Sequence, residues 1–484
     1  MNTNWNGRLT LALWSIASLA QPTFGGPPDR PNIVFILADD LGYGDLGCYG
    51  QPRIETPHID RLAAEGIRFT QHYAGSTVCA PSRCTLMTGR HTGHAQVRGN
   101  RRVPLGVETV TVAERLQRAG YQTALIGKWG LGEPDTTGVP TRQGFDQFFG
   151  YLNQRHAHNY YPDYLWRNET RVRLENVMPP YQGVGAGVAI RKVEYSHDLL
   201  IAEALKFIDS RDETPFFLYL ALTIPHANNE AGKAGMEVPS DEPYTDRDWP
   251  QPQKNHAAMI TRMDRDIGRL MRRLADRQFD ANTVVLFTSD NGPHREGGAD
   301  PEFFDSNGPL RGIKRDLYEG GIRVPLVARW PGKVPAGQTC NHPSAFWDFL
   351  PTACELARTD PPAEIDGISY LPALLGRAEQ RKHETLYWEF YEQGGKQAVR
   401  WGDWKGIRLG VAQLRRQKED ASVGQNRASE SGGPRDASGE LQLFDLATDP
   451  GETNDIAPRH PDVVRRIERM MAEAHTPSPA WHFR

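Results

Sequence analysis

Apolar runs of strand length alternate with segments of helical periodicity along the first three quarters of the chain. The apolar runs, continuous enough for strands buried on both faces, cover residues 31–40, 121–127, 215–224 and 283–289. Helices are predicted over residues 56–66, 111–119, 195–210 and 256–277. This alternation predicts an α/β domain with a large, mainly parallel sheet sandwiched by helices.

The pattern changes from about residue 384. Short strand-like segments at 385–390, 397–400 and 441–446 precede a last predicted helix at 460–474. They predict a smaller C-terminal α+β domain built on an antiparallel sheet. We place the large domain at residues 26–380 and the small one at 381–484. Residues 415–440 are polar and glycine-rich, so we predict a flexible surface insertion there.

The first twenty residues have the pattern of a signal peptide. Arg8 precedes an apolar run over residues 9–20, which ends in small residues. The run is shorter than the roughly 20 apolar residues that a membrane span needs, so we expect no membrane anchor. A buried N-terminal helix is the alternative. The prediction is an exported protein, periplasmic or secreted.

Composition narrows the class of protein. Of the 484 residues, 38% are hydrophobic and 24% charged, as in soluble globular proteins. The net charge of −4 gives no overall attraction to nucleic acid, so no nucleic-acid partner is expected and an anionic substrate would need a local basic pocket. Five cysteines are too few for a disulfide framework, and their odd number leaves at least one without an internal partner.

Acidic and amide side chains directly follow two of the predicted strands. Asp39 and Asp40 end the first, and Asp290 and Asn291 follow the fourth. In a parallel sheet, ligands bind at the carboxyl ends of the strands, so the two pairs are predicted to converge. Their oxygen atoms suit a hard cation such as Ca²⁺ or Mg²⁺. The alternative is that these residues only cap turns.

A Cys and an Arg stand about one helical turn apart in the segment Cys79-Ala-Pro-Ser-Arg83. The segment follows a Ser/Thr-rich loop and lies near a predicted helix start. A helix N-terminus and a nearby cation both favour an anion-facing, activated group. A small buried apolar side chain is the alternative for an isolated Cys.

The segment Cys-x-Pro-Ser-Arg, followed by Leu-x-Thr-Gly, resembles the signature of formylglycine-dependent (type I) sulfatases of the alkaline-phosphatase superfamily. Further segments resemble motifs of that family in the same order. They are Gly127-Lys128-Trp129, Ile224-Pro-His226, Leu310-Arg-Gly-Ile-Lys314, Glu319-Gly-Gly-Ile-Arg-Val-Pro325 and Leu443-Phe-Asp-Leu with Asp449-Pro-Gly-Glu452. The resemblance covers nearly all of the chain after the first twenty residues.

The resemblance implies a role for each matching residue. Cys79 would be oxidised to formylglycine by a maturation enzyme, and its hydrate would attack sulfur. One Ca²⁺ would be held by the side chains of Asp39, Asp40, Cys79, Asp290 and Asn291. Arg83 would favour the deprotonated hydroxyl, Lys128 and Lys314 would bind the sulfate oxygens, and His226 would protonate the leaving alcohol. Release of sulfate would then restore the aldehyde.

The chain departs from the family at Gly130, where a His commonly stands two positions after the first lysine. That His is thought to assist sulfate release. Asn153, His156 and His158 lie in a segment that often contacts substrate in the family, so we predict them as substrate-binding residues. We further predict that His156 or His158 enters the pocket, either as a proton acceptor or as a contact to a sugar hydroxyl. An exposed polar loop is the alternative.

The sequence therefore predicts a sulfuric ester hydrolase that acts on a sulfated carbohydrate, with galactose or N-acetylgalactosamine sulfate as candidates. A phosphodiesterase or phosphonate monoester hydrolase of the same superfamily is an alternative, because such enzymes can share the formylglycine and the metal site. A catalytically dead carbohydrate-binding homologue is another, and it would require an unmodified Cys79.

Overall fold

The protein is described by a computed structural model that covers residues 1–4, 30–180, 184–414 and 439–483. The predicted signal peptide, apart from its first four residues, lies outside the described part. The predicted insertion at 415–440 also lies outside it, apart from its last two residues.

Fifteen strands are present in the described residues. They are β1 Asn32–Ala38, β2 Ile67–Tyr73, β3 Gln122–Lys128, β4 Gln147–Tyr151, β5 Tyr164–Arg167, β6 Thr170–Arg173, β7 Phe216–Ala221, β8 Thr283–Ser289, β9 Arg323–Arg329, β10 Gln338–Cys340, β11 Ser344–Ala345, β12 Thr385–Phe390, β13 Lys396–Trp401, β14 Trp404–Leu409 and β15 Leu441–Asp445.

The α-helices whose two ends lie in the described residues are α1 Pro57–Ala64, α2 Cys79–Thr88, α3 Val112–Arg118, α4 Ser196–Asp209, α5 Gln251–Asp276, α6 Pro301–Phe304, α7 Glu319–Ile322, α8 Phe349–Leu356, α9 Leu371–Leu374 and α10 Pro461–Ala474. Short 3₁₀ helices, among them His156–His158 and Asn229–Ala234, lie in the loops. Within the described residues, no helix has both the length and the apolar character needed to cross a membrane.

The large sheet has eleven strands among the described residues, in the order β10-β2-β9-β8-β1-β7-β3-β4-β5-β6, with β11 beside β2. The central strands β8, β1, β7, β3 and β4 are parallel, whereas β9, β5 and β6 pair antiparallel with their neighbours. Alternate residues of β1 enter two separate hydrophobic cores, one on each face of the sheet. The prediction of a mainly parallel sheet sandwiched by helices is thereby confirmed.

The second sheet has four antiparallel strands in the order β12-β13-β14-β15, as the C-terminal pattern predicted. It packs on the large domain through Trp388, whose indole nitrogen donates a hydrogen bond to the carbonyl of Ala74 over 2.9 Å. A buried ion pair also joins the two parts, since Lys405 Nζ lies 2.8 Å from Glu319 Oε1. The second sheet therefore contacts the segment before α2 and the first residue of α7.

Candidate active site

The carboxyl ends of four adjacent strands, β8, β1, β7 and β3, carry the polar residues of one site. Ala38 and Ser289 are paired at the ends of β1 and β8, so the two acid-bearing turns start side by side. The backbone N–H of Asp290 donates to the carbonyl of Ala38 over 3.1 Å, and that of Asp40 donates to Asp290 Oδ1 over 3.1 Å. The predicted convergence of the two pairs is what the structure has.

The oxygen atoms of these turns fit a hard cation. Asp39, Asp40, Asp290 and Asn291 are fully buried. The amide nitrogen of Asn291 donates to Asp40 Oδ1 over 2.7 Å, whereas its Oδ1 is buried without a hydrogen-bond partner among the described residues. An unsatisfied buried oxygen beside three carboxylates is the donor set that Ca²⁺ accepts.

Cys79 faces this group of oxygen atoms from α2. It is the first residue of the helix, it is buried, and its Sγ donates to Asp39 Oδ1 over 3.3 Å. Burial, and then the negative charge of Asp39, raises the pKa of the thiol well above its usual value. The surrounding protein groups therefore favour the protonated form of the thiol.

Arg83 lies one turn further along α2 and joins two strand ends. Its Nε and Nη2 donate to Asp290 Oδ2 over 3.1 and 2.8 Å, and its Nη1 donates to the carbonyl of Lys128 over 2.8 Å. Burial opposes its charge, but Asp290 outweighs this effect and the pKa of the guanidinium is raised. A buried charge held in this way fixes the position of the helix against the sheet.

Two lysines contact the two acids that end β1. Lys128 Nζ donates to Asp39 Oδ2 over 2.6 Å, and Lys314 Nζ donates to Asp40 Oδ2 over 2.8 Å. Burial opposes ionisation of Asp39, but the positive charges of Lys128 and Arg83 overcome it and hold its pKa well below the usual range. The two ammonium groups are therefore held as buried hydrogen-bond donors at the strand ends, each oriented by one carboxylate.

His226 follows β7 and contacts Lys314. Its Nδ1 is 2.6 Å from the carbonyl of Ala227, and its Nε2 is 3.0 Å from Lys314 Nζ. Burial, and then the charge of Lys314, lowers the pKa of the imidazole well below its usual value. The ring thus donates from Nδ1 and accepts at Nε2. To act as a general acid, Nε2 must gain a proton; in this structure it accepts a hydrogen bond from Lys314, whose own pKa is raised by Asp40 against the opposing effect of burial.

The structure separates the two histidines of the predicted substrate segment. His158 stacks on His226, with ring centroids 4.6 Å apart and planes 16° from parallel. His156 is buried between Tyr151 and Tyr164, at centroid distances of 4.9 and 4.4 Å. Of the two, His158 is therefore the one that contacts the group of residues at the strand ends.

Asn153 organises the same loop from within. Its Oδ1 accepts the backbone N–H of Arg155 over 2.8 Å and that of His156 over 3.3 Å, and its amide donates to Glu133. These contacts cap the 3₁₀ turn that carries both histidines. Asn153 thus acts on the shape of the loop in this structure, and a substrate contact stays a prediction.

Gln154 occupies the space beside Gly130. A Cβ atom added to Gly130 would lie 2.1 Å from Gln154 Nε2. Gly130 also has φ +81°, a conformation that favours glycine. The Gln154 side chain therefore fills the space that the side chain of a larger residue at position 130 would need.

Sequence patterns missed several charged residues of this site. Glu296 lies 3.0 Å from Lys314 Nζ and 2.6 Å from Arg315 Nη1, and His294 stacks against His226 at 5.8 Å. Both belong to the loop after β8. Their short distance along the chain from Asp290 and Asn291 could have identified them as candidate site residues. Glu230, which contacts His158, comes from a separate loop and gave no such signal.

Comparison with known proteins places these features in context. Residues 31–359 match the family described as Sulfatase, and residues 381–478 match the C-terminal region of aryl-sulfatase. The chain is 33% identical over 457 residues to the N-acetylgalactosamine-6-sulfatase of Sus scrofa, covering 88% of this chain and 82% of that one. It is 31% identical over 530 residues to the N-acetylgalactosamine-6-O-sulfatase of Bacteroides thetaiotaomicron, covering 93% and 94%.

A solved structure has the same overall arrangement. The crystal structure of Ps i-CgsB in complex with k-i-k-neocarrahexaose superimposes with a TM-score of 0.74 at 27% identity. The superposition covers 94% of this chain and 95% of that one.

Proposed function

Because the chain belongs to the sulfatase family and is a sulfuric ester hydrolase, we propose that it removes sulfate from a sulfated carbohydrate, using formylglycine made from Cys79 and one Ca²⁺. The observation that carries the proposal is the position of Cys79. Its side chain contacts Asp39 at the point where the oxygen-rich turns and the buried cations meet. A nucleophile there can reach an anionic sulfur centre that the lysines hold.

The metal site in this proposal consists of Asp39, Asp40, Asp290, Asn291 and the modified side chain of residue 79. When bound, Ca²⁺ would lower the pKa of an adjacent hydroxyl group and so supply a stronger nucleophile at neutral pH. Arg83 would keep its hydrogen bonds to Asp290 and thereby hold this carboxylate in place.

The two lysines would bind the sulfate oxygens. Each ammonium group is buried and oriented by a carboxylate, Lys128 by Asp39 and Lys314 by Asp40, so little rearrangement is needed when charge develops on the sulfate. His226 would protonate the leaving alcohol from Nε2, the ring nitrogen that Lys314 Nζ contacts.

Sulfated galactose or N-acetylgalactosamine is the substrate class that we propose. Two relatives that cover most of the chain are named for N-acetylgalactosamine 6-sulfate, and Ps i-CgsB was crystallised with a carbohydrate. Position-defined sulfated monosaccharides and oligosaccharides should show sulfate release, whereas an aryl phosphodiester should be turned over much more slowly. A preference for the phosphodiester would favour a phosphodiesterase instead.

We also propose that the chain is exported to the periplasm or the medium and that a formylglycine-generating enzyme modifies it. The apolar run at residues 9–20 supports export, and the segment Cys79-Ala-Pro-Ser-Arg83 supports modification. N-terminal sequencing of protein from the periplasmic fraction should find the chain cleaved near residue 20.

The decisive experiment is peptide mass analysis combined with sulfate release. The peptide that contains Cys79 should show conversion of the thiol-bearing carbon to an aldehyde, whereas Cys84, which is buried further along α2, should stay unmodified. Cys79→Ser, made in a host that modifies only cysteine, should fold but lose turnover, and the control Cys84→Ala should keep it. Full activity in Cys79→Ser, or after exhaustive chelation of calcium, would contradict the proposal.

A further inference from the structure

The imidazole of His158 contacts a carboxylate from a neighbouring loop. His158 Nδ1 lies 3.3 Å from Glu230 Oε2, and Glu230 Oε1 accepts from Arg155 Nη2 over 3.1 Å. Arg155 and His158 lie on the same 3₁₀ turn, whereas Glu230 belongs to the 3₁₀ helix Asn229–Ala234, which follows β7 and His226. Glu230 therefore links the two loops.

This contact determines which nitrogen of His158 carries the proton. An ionised carboxylate only accepts hydrogen bonds, so Nδ1 must be the N–H donor and Nε2 must hold the lone pair. Burial opposes ionisation of Glu230, but the contacts with His158 and Arg155 outweigh it and lower its pKa. Among the described residues, Nδ1 is the nitrogen of this ring that has a hydrogen-bond partner, and the side chain is 14% exposed, so the lone pair on Nε2 is available to a bound group.

The ring is also held beside the proposed reaction centre. His158 stacks on His226, and His226 in turn contacts Lys314 and lies 3.5 Å from Asp40. Arg155 is 64% exposed and pairs with the same carboxylate. The loop thus contains one partner of Glu230 that is directed to the site and one that is directed to solvent.

We propose that Glu230 is a positioning residue that keeps His158 in the Nδ1–H tautomer, so that His158 Nε2 accepts a hydroxyl proton during sulfate release. The inference rests on the proposed function, because it concerns the second half of that reaction. As the bond between residue 79 and sulfate breaks, sulfate leaves with the electron pair. The O–H pair of the remaining hydroxyl becomes the second bond of the aldehyde, and the proton goes to Nε2 and then to water.

The first test measures the tautomer directly. His158 ¹⁵N chemical shifts, recorded in unmodified Cys79→Ala protein and assigned with His158→Asn, should show Nδ1–H alone at pH 8. Glu230→Ala should give a mixture of both tautomers, and Arg155→Ala, which removes the other partner of Glu230, should keep the single one. Unchanged tautomer populations in Glu230→Ala would overturn the inference.

The second test uses the matured enzyme. Glu230→Ala should lower kcat at least about tenfold, within the roughly 10²–10⁴-fold that one acid or base contributes, with KM nearly constant. His158→Asn should lower it further, and Arg155→Ala should stay within about twofold of wild type. If Glu230→Ala does not fold, Glu230→Gln replaces it, with a fall in kcat expected for loss of the charge.

The possible failures can be distinguished. A rise in KM at constant kcat in both Glu230→Ala and His158→Asn would make His158 a sugar contact and would overturn its role as proton acceptor. Absence of sulfate release by wild-type protein with formylglycine at residue 79 would contradict the proposed function, whereas the tautomer measurement would still report on the contact between Glu230 and His158.

Discussion

The ammonium group of Lys128 lies 2.6 Å from Oδ2 of Asp39, and both side chains are about 1% exposed. Such a buried pair is strongly coupled, because removal of one member leaves the other charge without its partner in a medium that solvates it poorly. Asp39 has further cationic neighbours in Arg83 and Lys314, whereas among the described residues Asp39 is the one ion-pair partner of Lys128. Replacing Asp39 therefore removes the ion-pair partner of Lys128, whereas replacing Lys128 leaves Asp39 with other cationic neighbours.

Lys128→Met should lower kcat about 10²–10³-fold, the range found when one group that stabilises transition-state charge is removed. Calcium affinity should not fall, because the substitution removes a positive charge beside the proposed ligand Asp39. Asp39→Asn should instead weaken calcium binding. Kinetics with a sulfated sugar and calorimetric titration of calcium would test the pair, and loss of calcium binding in Lys128→Met would contradict the assignment.

Asp290→Ala should destabilise the protein as well as remove a metal ligand. Arg83 is buried and donates twice to Asp290 Oδ2, so the substitution leaves the guanidinium with its longer contact to a second carboxylate, Asp39 Oδ2, at 3.6 Å. Breaking a buried ion pair in this way typically costs about 3–5 kcal/mol. Urea unfolding in the presence of a calcium chelator would isolate this contribution.

Asp290→Asn is the matched control, since its amide oxygen can still accept from Arg83 while the charge of the metal ligand is lost. It should lose less stability than Asp290→Ala but a similar share of calcium affinity. Equal stability of Asp290→Ala and wild type in the chelator would show that the ion pair contributes little.

The sequence predicted those features of the fold that depend on one strand or helix at a time. The apolar runs gave β1, β7 and β8 nearly residue by residue, and the acids at the ends of β1 and β8 followed from parallel pairing. Helix α5 begins five residues before its predicted start at residue 256, because its first turn contains Pro252 and polar residues without apolar periodicity. Strands β2, β4 to β6 and β9 to β11 were not predicted; they form the two outer parts of the sheet, on either side of the strands that the apolar runs gave.

Contacts between loops were beyond the reach of sequence patterns. Lys314 and His226 were assigned through a family resemblance, because neither periodicity nor spacing relates two loops that are 88 residues apart. The contact of Glu230 with His158 and the position of Gln154 against Gly130 depend on how the loops pack. The difference between His156 and His158 has the same origin, since two residues of one short turn point to different surroundings.

His156→Phe should make the protein less sensitive to acid without loss of turnover. Burial, and then the charge of Arg171, lowers the pKa of His156 to about 3. A folded-state pKa below the unfolded value of roughly 6.5 means that this contribution to stability is complete above pH 6.5 and is lost as pH falls toward 3. By pH 4.5 the loss would be about 2–3 kcal/mol.

The measurement is the free energy of unfolding between pH 7 and pH 4.5 for wild type and His156→Phe. The difference between the two should move in favour of the variant as the pH falls. His482→Phe, at an exposed position, is the control and should follow wild type. A kcat reduced more than about tenfold in His156→Phe would contradict the structural role and return His156 to the list of candidate catalytic residues.

Gly130→Ala should destabilise the protein for two separable reasons. Its φ of +81° costs a residue with a Cβ about 1–2 kcal/mol, and the new atom would lie 2.1 Å from Gln154 Nε2. The overlap is with the end of a flexible side chain, so Gln154→Ala should relieve it and leave the backbone cost.

Unfolding measurements on both single variants and the double variant should therefore give a coupling energy of about 0.5–3 kcal/mol, with the double variant more stable than the sum of the two single effects. Strict additivity would show that Gln154 moves away at no cost and does not fill the space beside Gly130. If the coupling is present, Gly130→His should be tolerated only together with Gln154→Gly, because an imidazole and the Gln154 side chain cannot both occupy that space.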